Sequence, residues 1–417
     1  MIVTRIFGGA SRALATPLFR RYWIGHSTAT VGRWMYRTAV GWLAWDLTHS
    51  TGWLGALAFA DLLPTVVLSL VSGAVADRIG FMRIINLSQI LATLLAALLA
   101  ALILSNMIDI YSLMAITFAL GAAEAFGQPA RMSAVNAMVT KRDLSSAIAL
   151  GSASFNGARI IGPAIAGALI LWIGAGYVIL LCALTFALFY MQTRSMSLGE
   201  SGRPHRDASA SLLADARSGV AYMFSHRAIR FVMILLAATS FFIRPVIELL
   251  PAVSGQTFQA GPTGLALLLA SIGVGALSAS LLLARRGELR GLTFMLVLST
   301  LVTGVALALS MQAGDIWLAS LALAVMGAFM LAGNVSAQTL VQNSVDPAFR
   351  ARVMSLYIIF AYGLPAIGAA LMGWIATAAG LQATIAAGAL CMLAFFVWSW
   401  PRRKAMAAQL ESERSAS

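Results

Sequence analysis

The 417 residues are 60% hydrophobic and 10% charged, against about 25% charged in an ordinary soluble domain. Apolar runs long enough to cross a bilayer recur along the whole length, so composition excludes a soluble enzyme or binding module and indicates a polytopic membrane protein. The net charge of +13 tempts one towards a nucleic-acid partner, and its distribution, described below, rejects that.

In hydrocarbon the backbone must satisfy its own hydrogen bonds as helices or a closed barrel. The runs are continuous and rich in Leu, Ala and Gly, without the alternation of a barrel strand, so the expected class is all-α. The first half gives spans at about 22–47, 53–76, 82–105, 109–130, 144–172 and 176–193. The second gives about 229–252, 262–284, 291–311, 315–339, 351–378 and 381–400. The expected division is therefore a tail (1–21), a six-helix bundle (22–193), a linker (194–228), a second six-helix bundle (229–400) and a tail (401–417). The longest polar segment, 193–219, separates the halves, and "SLLADARSGVAYMF" (211–224) suggests a short interfacial helix.

Along these spans the buried charges stand out, because an ionisable group at the bilayer centre costs about 2.5–3.5 kcal/mol even on insertion scales. The first span carries Arg33 and Arg37 one turn apart on one face, and Asp46 near its outer end. The second carries Asp61, followed by Pro64. In the fourth, Glu124, Gln128 and Arg131 form one stripe; in the fifth, Ser152, Asn156, Arg159 and Pro163 form another. The seventh holds Arg244 and Glu248 at i,i+4 around Pro245, a spacing that equally suits a purely structural pair within one helix. Asp61 and Glu124 are the candidates for exchanging protons, since a carboxyl in a partly dry cavity can titrate near neutrality. Arg33, Arg37 and Arg159 keep their charge and serve as fixed cations, for an anionic substrate or a neighbouring carboxylate. Proline at 163 removes the donor for the Arg159 carbonyl, which makes Gly162, Pro163 and Gly167 a candidate hinge.

All but four of the 28 Lys and Arg residues lie in the two tails or at and beyond the even-numbered ends of the spans, and none lies in the other loops. The four are Arg33, Arg37, Arg159 and Arg244. Positive residues mark the cytoplasmic side, so both termini are expected inside with an even number of spans. The first span is too long for a signal-peptide core and reads as its own insertion signal. Cys182 and Cys391 fall far apart in apolar runs, and the four histidines make no metal-ligand spacing. No phosphate cradle such as GxxxxGK[ST] is present. No catalytic residue, metal or cofactor is expected.

"GAVADRIGFMR" (73–83) resembles the G-x-x-x-D-R-x-G-R-R loop of the major facilitator superfamily. Gly73, Asp77, Arg78 and Gly80 match; the two basic slots hold Phe81 and Met82, with Arg83 one place late. By that resemblance Asp77 and Arg78 belong to a cytoplasmic gate. The stretch 126–167, with P-A-R, R-x-D-L, A-I-A-L and F-N-x-A-R-x-x-G-P, resembles the enterobactin-exporter and macrolide-efflux branch. The antiporter pattern of the fifth helix falls on Ala149, Ala158, Gly162, Pro163, Ala166 and Gly167, where three of six positions match and the others remain small. The resemblance implies twelve helices in two pseudo-symmetric halves with a midplane cavity. It further implies a proton-coupled exporter of a small amphipathic compound, siderophore-like or a drug, in a bacterial inner membrane. The partners are then a small-molecule substrate, protons and the lipid bilayer, with oligomeric state open and a monomer compatible. Alternatives are an importer or facilitator of a metabolite, or a non-transporting scaffold or receptor on the same fold.

Overall fold

A computed structural model describes residues 13–140, 142–196, 212–286 and 289–411. Helix follows helix, with no strand among the described residues. The first five are α1 (Pro17–Thr48), α2 (Thr51–Ile79), α3 (Phe81–Leu104), α4 (Ile110–Met138) and α5 (Leu144–Thr193). A short α6 (Leu212–Ser225) occupies the place where the sequence suggests an interfacial helix. Residues 197–211 of the expected linker, and the first twelve residues, lie outside the described residues.

The second half is less regular. The expected seventh span divides into α7 (Arg227–Phe242), α8 (Val246–Ala252) and a π turn (Val253–Thr257). The break falls at Pro245, which has no N–H to give; just before it the amides of Ile243 and Arg244 both turn to the Thr239 carbonyl, at 3.1 and 3.2 Å. Then come α9 (Gly261–Arg286), α10 (Leu292–Gln312) and α11 (Ile316–Ser344). The expected eleventh span is likewise interrupted, as α12 (Pro347–Ile358), a π turn (Ile359–Gly363) and α13 (Leu364–Ala379). The last helices are α14 (Leu381–Ser399) and α15 (Arg403–Leu410).

Among the described residues, ten segments are long and apolar enough to cross a membrane. The 24 residues of α3 rise about 36 Å, enough for a hydrocarbon core of about 30 Å. α5 is 50 residues long, about 75 Å if straight. It is interrupted at Gly174, whose φ of 81° and ψ of 162° are open to glycine and strained for other residues. The interruption falls between the expected fifth and sixth spans. α1 is not among the ten; its 32 residues include Arg20, Arg21, Arg33, Arg37 and Asp46. α4 begins with a capping box in which Asp109 accepts from the Ser112 amide at 2.9 Å. Hydrogen bonds from Ser112 hold this exposed carboxyl below its usual range. The helix runs on to Met138 and so includes Arg131, which the expected span stops short of.

The chain divides into two compact units. One comprises Met1–His49, Ala60–Arg206 and Gly261–Ala266; the other comprises Ser50–Phe59, Asp207–Ala260 and Leu267–Ser417. In the first, α1 lies along α5, and α3 packs against both α4 and α5. In the second, α10 packs against α11 and α14, and an apolar core gathers Phe231, Leu235, Leu296, Leu340, Val353, Met406 and Leu410. The opening turn of α2 belongs to this unit: Thr51 Oγ1 donates to the Gly373 carbonyl at 3.0 Å, and the Gly52 amide donates to Thr377 Oγ1 at 3.1 Å.

The residue after α15 closes the second unit. Glu411 accepts from the Gly291 amide at 2.8 Å and the Thr293 amide at 2.7 Å, two donors at the start of α10 that no intrahelical acceptor reaches. Gly291 has no side chain to cap its own helix, so a carboxylate 120 residues downstream takes that role, with favourable sign toward the helix dipole. Replacing Glu411 by Ala is expected to cost about 1 kcal/mol, an N-cap loss. Amide exchange in the first turn of α10 should then be about fivefold faster, with α11 unaffected; unchanged exchange would rule the cap out.

Candidate functional site

Two close helix approaches set the geometry of the first unit. A Cβ added to Gly121 on α4 would lie 2.4 Å from the Asp61 carbonyl oxygen on α2. One added to Gly162 on α5 would lie 2.6 Å from Trp34 Cβ on α1 and 3.1 Å from the Met35 amide nitrogen. Only a residue without a side chain lets these backbones meet. The first contact brings the helices of Asp61 and Glu124 together; the second sets α1 and its arginines against α5.

The charged side chains of three helices then converge. Arg33 Nη2 donates to Asp61 Oδ1 at 3.1 Å, and its Nη1 stands 3.8 Å from Glu124 Oε1. Arg37 Nε lies 3.8 Å from Asp61 Oδ2. On α4, Arg131 Nη2 donates to Glu124 Oε2 at 2.5 Å, joining the two ends of the stripe seen in the sequence. Side-chain exposure is 12% at Asp61 and 29% at Arg37, so the network is only partly dry. Charges that keep this much open surface inside a span face water or protein rather than lipid.

Arg159 joins the cluster from α5 through an aromatic residue. Its guanidinium carbon is 5.8 Å from the centroid of the Trp34 ring, and that of Arg37 is 5.6 Å from the same ring. Phe155 meets Trp34 edge-on at 5.7 Å and is half-exposed. Asn156 donates to the Ser152 carbonyl of its own helix at 2.9 Å. Ser154 and Ser27 tie α5 to α1 at 2.9 Å. Gly162, Pro163 and Gly167 are buried, and α5 continues through them. Near the N-terminal end of α1, His26 lies against Tyr22 and Phe189, with ring centroids 5.7 and 5.6 Å away.

In the second unit Arg244 meets a backbone carbonyl. Arg244 Nη1 donates to the Ala361 carbonyl at 2.5 Å, inside the π turn. Ala361 precedes Pro365 by four residues, and proline has no N–H for that carbonyl; the arginine supplies the donor. Its guanidinium carbon also lies 5.7 Å from the Tyr362 ring. Nearby on the same π-turn segment's helix, Tyr357 Oη donates to Asn334 Oδ1 at 3.0 Å. Glu248 is half-buried in the first turn of α8. It does not share an unbroken helix with Arg244, since the chain breaks at Ile243–Pro245.

In the loop that resembles the superfamily signature, Arg78, Gly80 and Arg83 are exposed, while the surroundings of Gly73 and the Asp77 side chain lie outside what is described. Met82, in a slot the signature fills with a basic residue, is 8% exposed and packs inward, and Arg83 takes the solvent-facing place beside it. The sequence reading missed three participants. Trp34 lies between Arg33 and Arg37 in "RWMYR", yet nothing local says that Arg159 meets it. Neither the Ala361 carbonyl nor the His26 cluster has a signature; only the position of Pro365 hints at the first.

A helical membrane bundle with a semi-buried ion-pair network is the architecture of a transporter. The chain belongs to the transmembrane secretion effector family of the major facilitator superfamily, whose profile matches residues 9–415. It is a transporter rather than an enzyme. It is 27% identical over 377 residues to the multidrug efflux pump Tap of Mycolicibacterium fortuitum, covering 88% of this chain and 91% of the pump. It is 24% identical over 360 residues to the staphyloferrin A transporter of Staphylococcus aureus, covering 85% and 88%. Among solved structures, the nucleoside transporter NupG superposes with a TM-score of 0.64 at 15% identity, covering 95% of this chain and 99% of that one. A peptide transporter POT gives 0.70 at 13% identity, covering 97% and 99%. These likenesses show a shared fold.

The helix approach at Gly162 is directly testable. Gly162→Val should lower thermal stability in detergent by an amount typical of overpacking, about 1–3 kcal/mol. Gly151→Ala, on the same helix with nothing within 4 Å of the added carbon, should not lower it, since alanine favours the helix by about 0.5–1 kcal/mol. Equal effects at the two positions would contradict the packing described.

Proposed function

We propose that the protein is a secondary active exporter of small amphipathic compounds, working by alternating access and coupled to protons. The observation that carries this is the network of Arg33, Asp61, Glu124 and Arg131 inside an otherwise apolar bundle, in a chain whose relatives are an efflux pump and a siderophore transporter. Buried ion pairs add little stability compared with apolar packing, so a costly polar centre retained in the membrane suits a pathway.

In this reading the chain has twelve spans: counting α1 and dividing α5 at Gly174 brings the ten apolar segments to that number. Both termini are cytoplasmic in this reading, which the distribution of Lys and Arg supports, and the protein lies in the inner membrane of a bacterium. The halves are 22–193 and 229–400, joined by the linker 194–228. Gly73, Asp77, Arg78, Gly80 and Arg83 form the cytoplasmic gate loop. Gly162, Pro163 and Gly167 allow α5 to flex as the cavity changes its opening. Arg37, Asn156, Arg159, Arg244 and Glu248 line the path or set its charge.

Coupling follows from the pairing. With Asp61 and Glu124 ionised, each is held by an arginine and α1, α2 and α4 are tied together. A proton on either carboxyl removes the negative partner and loosens the tie, so occupancy by a proton and the arrangement of the helices are linked. Arginine keeps its charge throughout. Asp61→Asn and Glu124→Gln are therefore expected to reduce dye flux driven by a pH gradient in proteoliposomes at least tenfold. Wild-type flux in both variants would remove the carboxyls from the coupling step.

Arg159 is expected to face the aqueous path. In a protein lacking Cys182 and Cys391, Arg159→Cys should react with a membrane-impermeant thiol reagent in at least one orientation of the transporter. Inertness from both sides of the membrane would place it elsewhere.

A further inference from the structure

The short helix α6 has two faces with different neighbours. Its inner face is built into the second unit. Tyr222 and Met223 belong to the apolar core, and a Cβ added to Gly219 would lie 3.2 Å from the Arg352 carbonyl oxygen on α12. Tyr222 stacks on Phe349 of α12 with ring centroids 4.5 Å apart. Its Oη donates to Asp346 Oδ2 at 3.0 Å and accepts from the Asp346 amide at 3.2 Å. Asp346 immediately precedes α12, so one phenol ties α6 to the start of the eleventh span.

The outer face is apolar where a helix in water would be polar. Val220 and Phe224, one turn apart, are 37% and 57% exposed. The chain then turns at His226 into α7, whose first turn carries Arg227 and Arg230 three positions apart on one face, both exposed. Arg230 Nη1 donates to the Phe224 carbonyl at 3.0 Å, which sets its guanidinium against the end of α6. That bond satisfies one donor and leaves the charge. Neither arginine forms an ion pair among the described residues.

Arg227 also opens a segment long and apolar enough to cross a membrane, Arg227–Thr257. Covalent continuity therefore puts α6 and both guanidiniums at the boundary of the hydrocarbon. There an exposed apolar face meets acyl chains, and arginine heads reach the headgroup layer. Guanidinium is the side chain best matched to phosphate. A zwitterionic lipid brings its own cation to that phosphate, whereas a lipid of net negative charge leaves it to the protein.

We propose that the α6–α7 corner binds the headgroup of an anionic phospholipid, with Arg227 and Arg230 on the phosphate and Val220 and Phe224 among the acyl chains, and that the bound lipid holds α6 on the start of α12. Lipid composition then acts on the eleventh span through Tyr222. This input is separate from the carboxylates of the first unit and independent of whether flux is coupled to protons.

Amide exchange of the full-length protein in nanodiscs of phosphatidylcholine, with and without phosphatidylglycerol, supplies the test. Phosphatidylglycerol is expected to slow exchange in 219–225 and in the first turn of α12 about fivefold, the effect of roughly one arginine at an anionic surface. The capped first turn of α4 should be unchanged. Arg227→Gln with Arg230→Gln should abolish the difference between the lipids, and Arg227→Lys with Arg230→Lys should keep most of it by keeping the charge. Tyr222→Phe should retain the protection of α6 and lose that of α12. Equal exchange of the wild-type protein in the two lipids would overturn the proposal, and this comparison needs no variant to fold. Full lipid dependence in the double glutamine variant would also overturn it, by showing attraction to the basic surface at large. Inorganic phosphate added to phosphatidylcholine nanodiscs is expected to protect nothing; protection equal to that by the lipid would assign the corner to free phosphate instead. All of these measurements read binding rather than flux, so their failure would leave the exporter reading standing, and loss of that reading would leave them intact.

Discussion

The constraint on which the first half of this molecule turns is the cost of charge in a low-dielectric medium. Arg33 on α1 can sit within a span because Asp61 meets it at 3.1 Å, and Glu124 can sit there because Arg131 meets it at 2.5 Å. Removing one member of such a pair leaves the other charge stranded, at about 3–5 kcal/mol. Replacing the whole set by apolar residues would carry no such penalty. The network therefore constrains how α1, α2 and α4 assemble while contributing little net stability, a combination suited to an element that changes state.

Glycine makes the network geometrically possible. Gly121 lets α4 approach the α2 backbone at Asp61, and Gly162 lets α5 approach α1 at Trp34. In each case the close approach sits within three or four residues of the charge it serves: Glu124 follows Gly121, and Arg159 precedes Gly162. Packing and electrostatics are thus set by neighbouring positions on the same helix. A side chain added at either glycine would push the helices apart and lengthen the ion pairs together.

The second half uses a different device for the same problem. Prolines interrupt its helices, and in one case the freed acceptor is met by a side chain. The Ala361 carbonyl, deprived of a donor by Pro365, takes one from Arg244. The π turns at 253–257 and 359–363 are irregular backbone within candidate spans, which is tolerated where protein or water satisfies it. Arg244 thereby joins the end of α7 to the α12–α13 segment through a backbone group, whereas Arg33 joins helices through carboxylates. The two halves differ in the chemistry by which they hold their buried arginines.

Much of this was legible in the residue order. Helix was dictated by the need to satisfy backbone groups without water, and the span positions followed from run length. The stripe of Glu124, Gln128 and Arg131 and the shared face of Arg33 and Arg37 followed from helical period alone, and of these Glu124, Arg131, Arg33 and Arg37 meet in one network while Gln128 is exposed. The signature-like loop carried the family resemblance because it is local. The remainder depended on which helix lies beside which. That Asp61 serves Arg33, that Arg37 and Arg159 share Trp34, that Arg244 reaches Ala361 and that Glu411 caps α10 are contacts across 28 to 125 positions of chain. Helical period determines which face a side chain occupies; only the packing of helices decides what stands opposite that face.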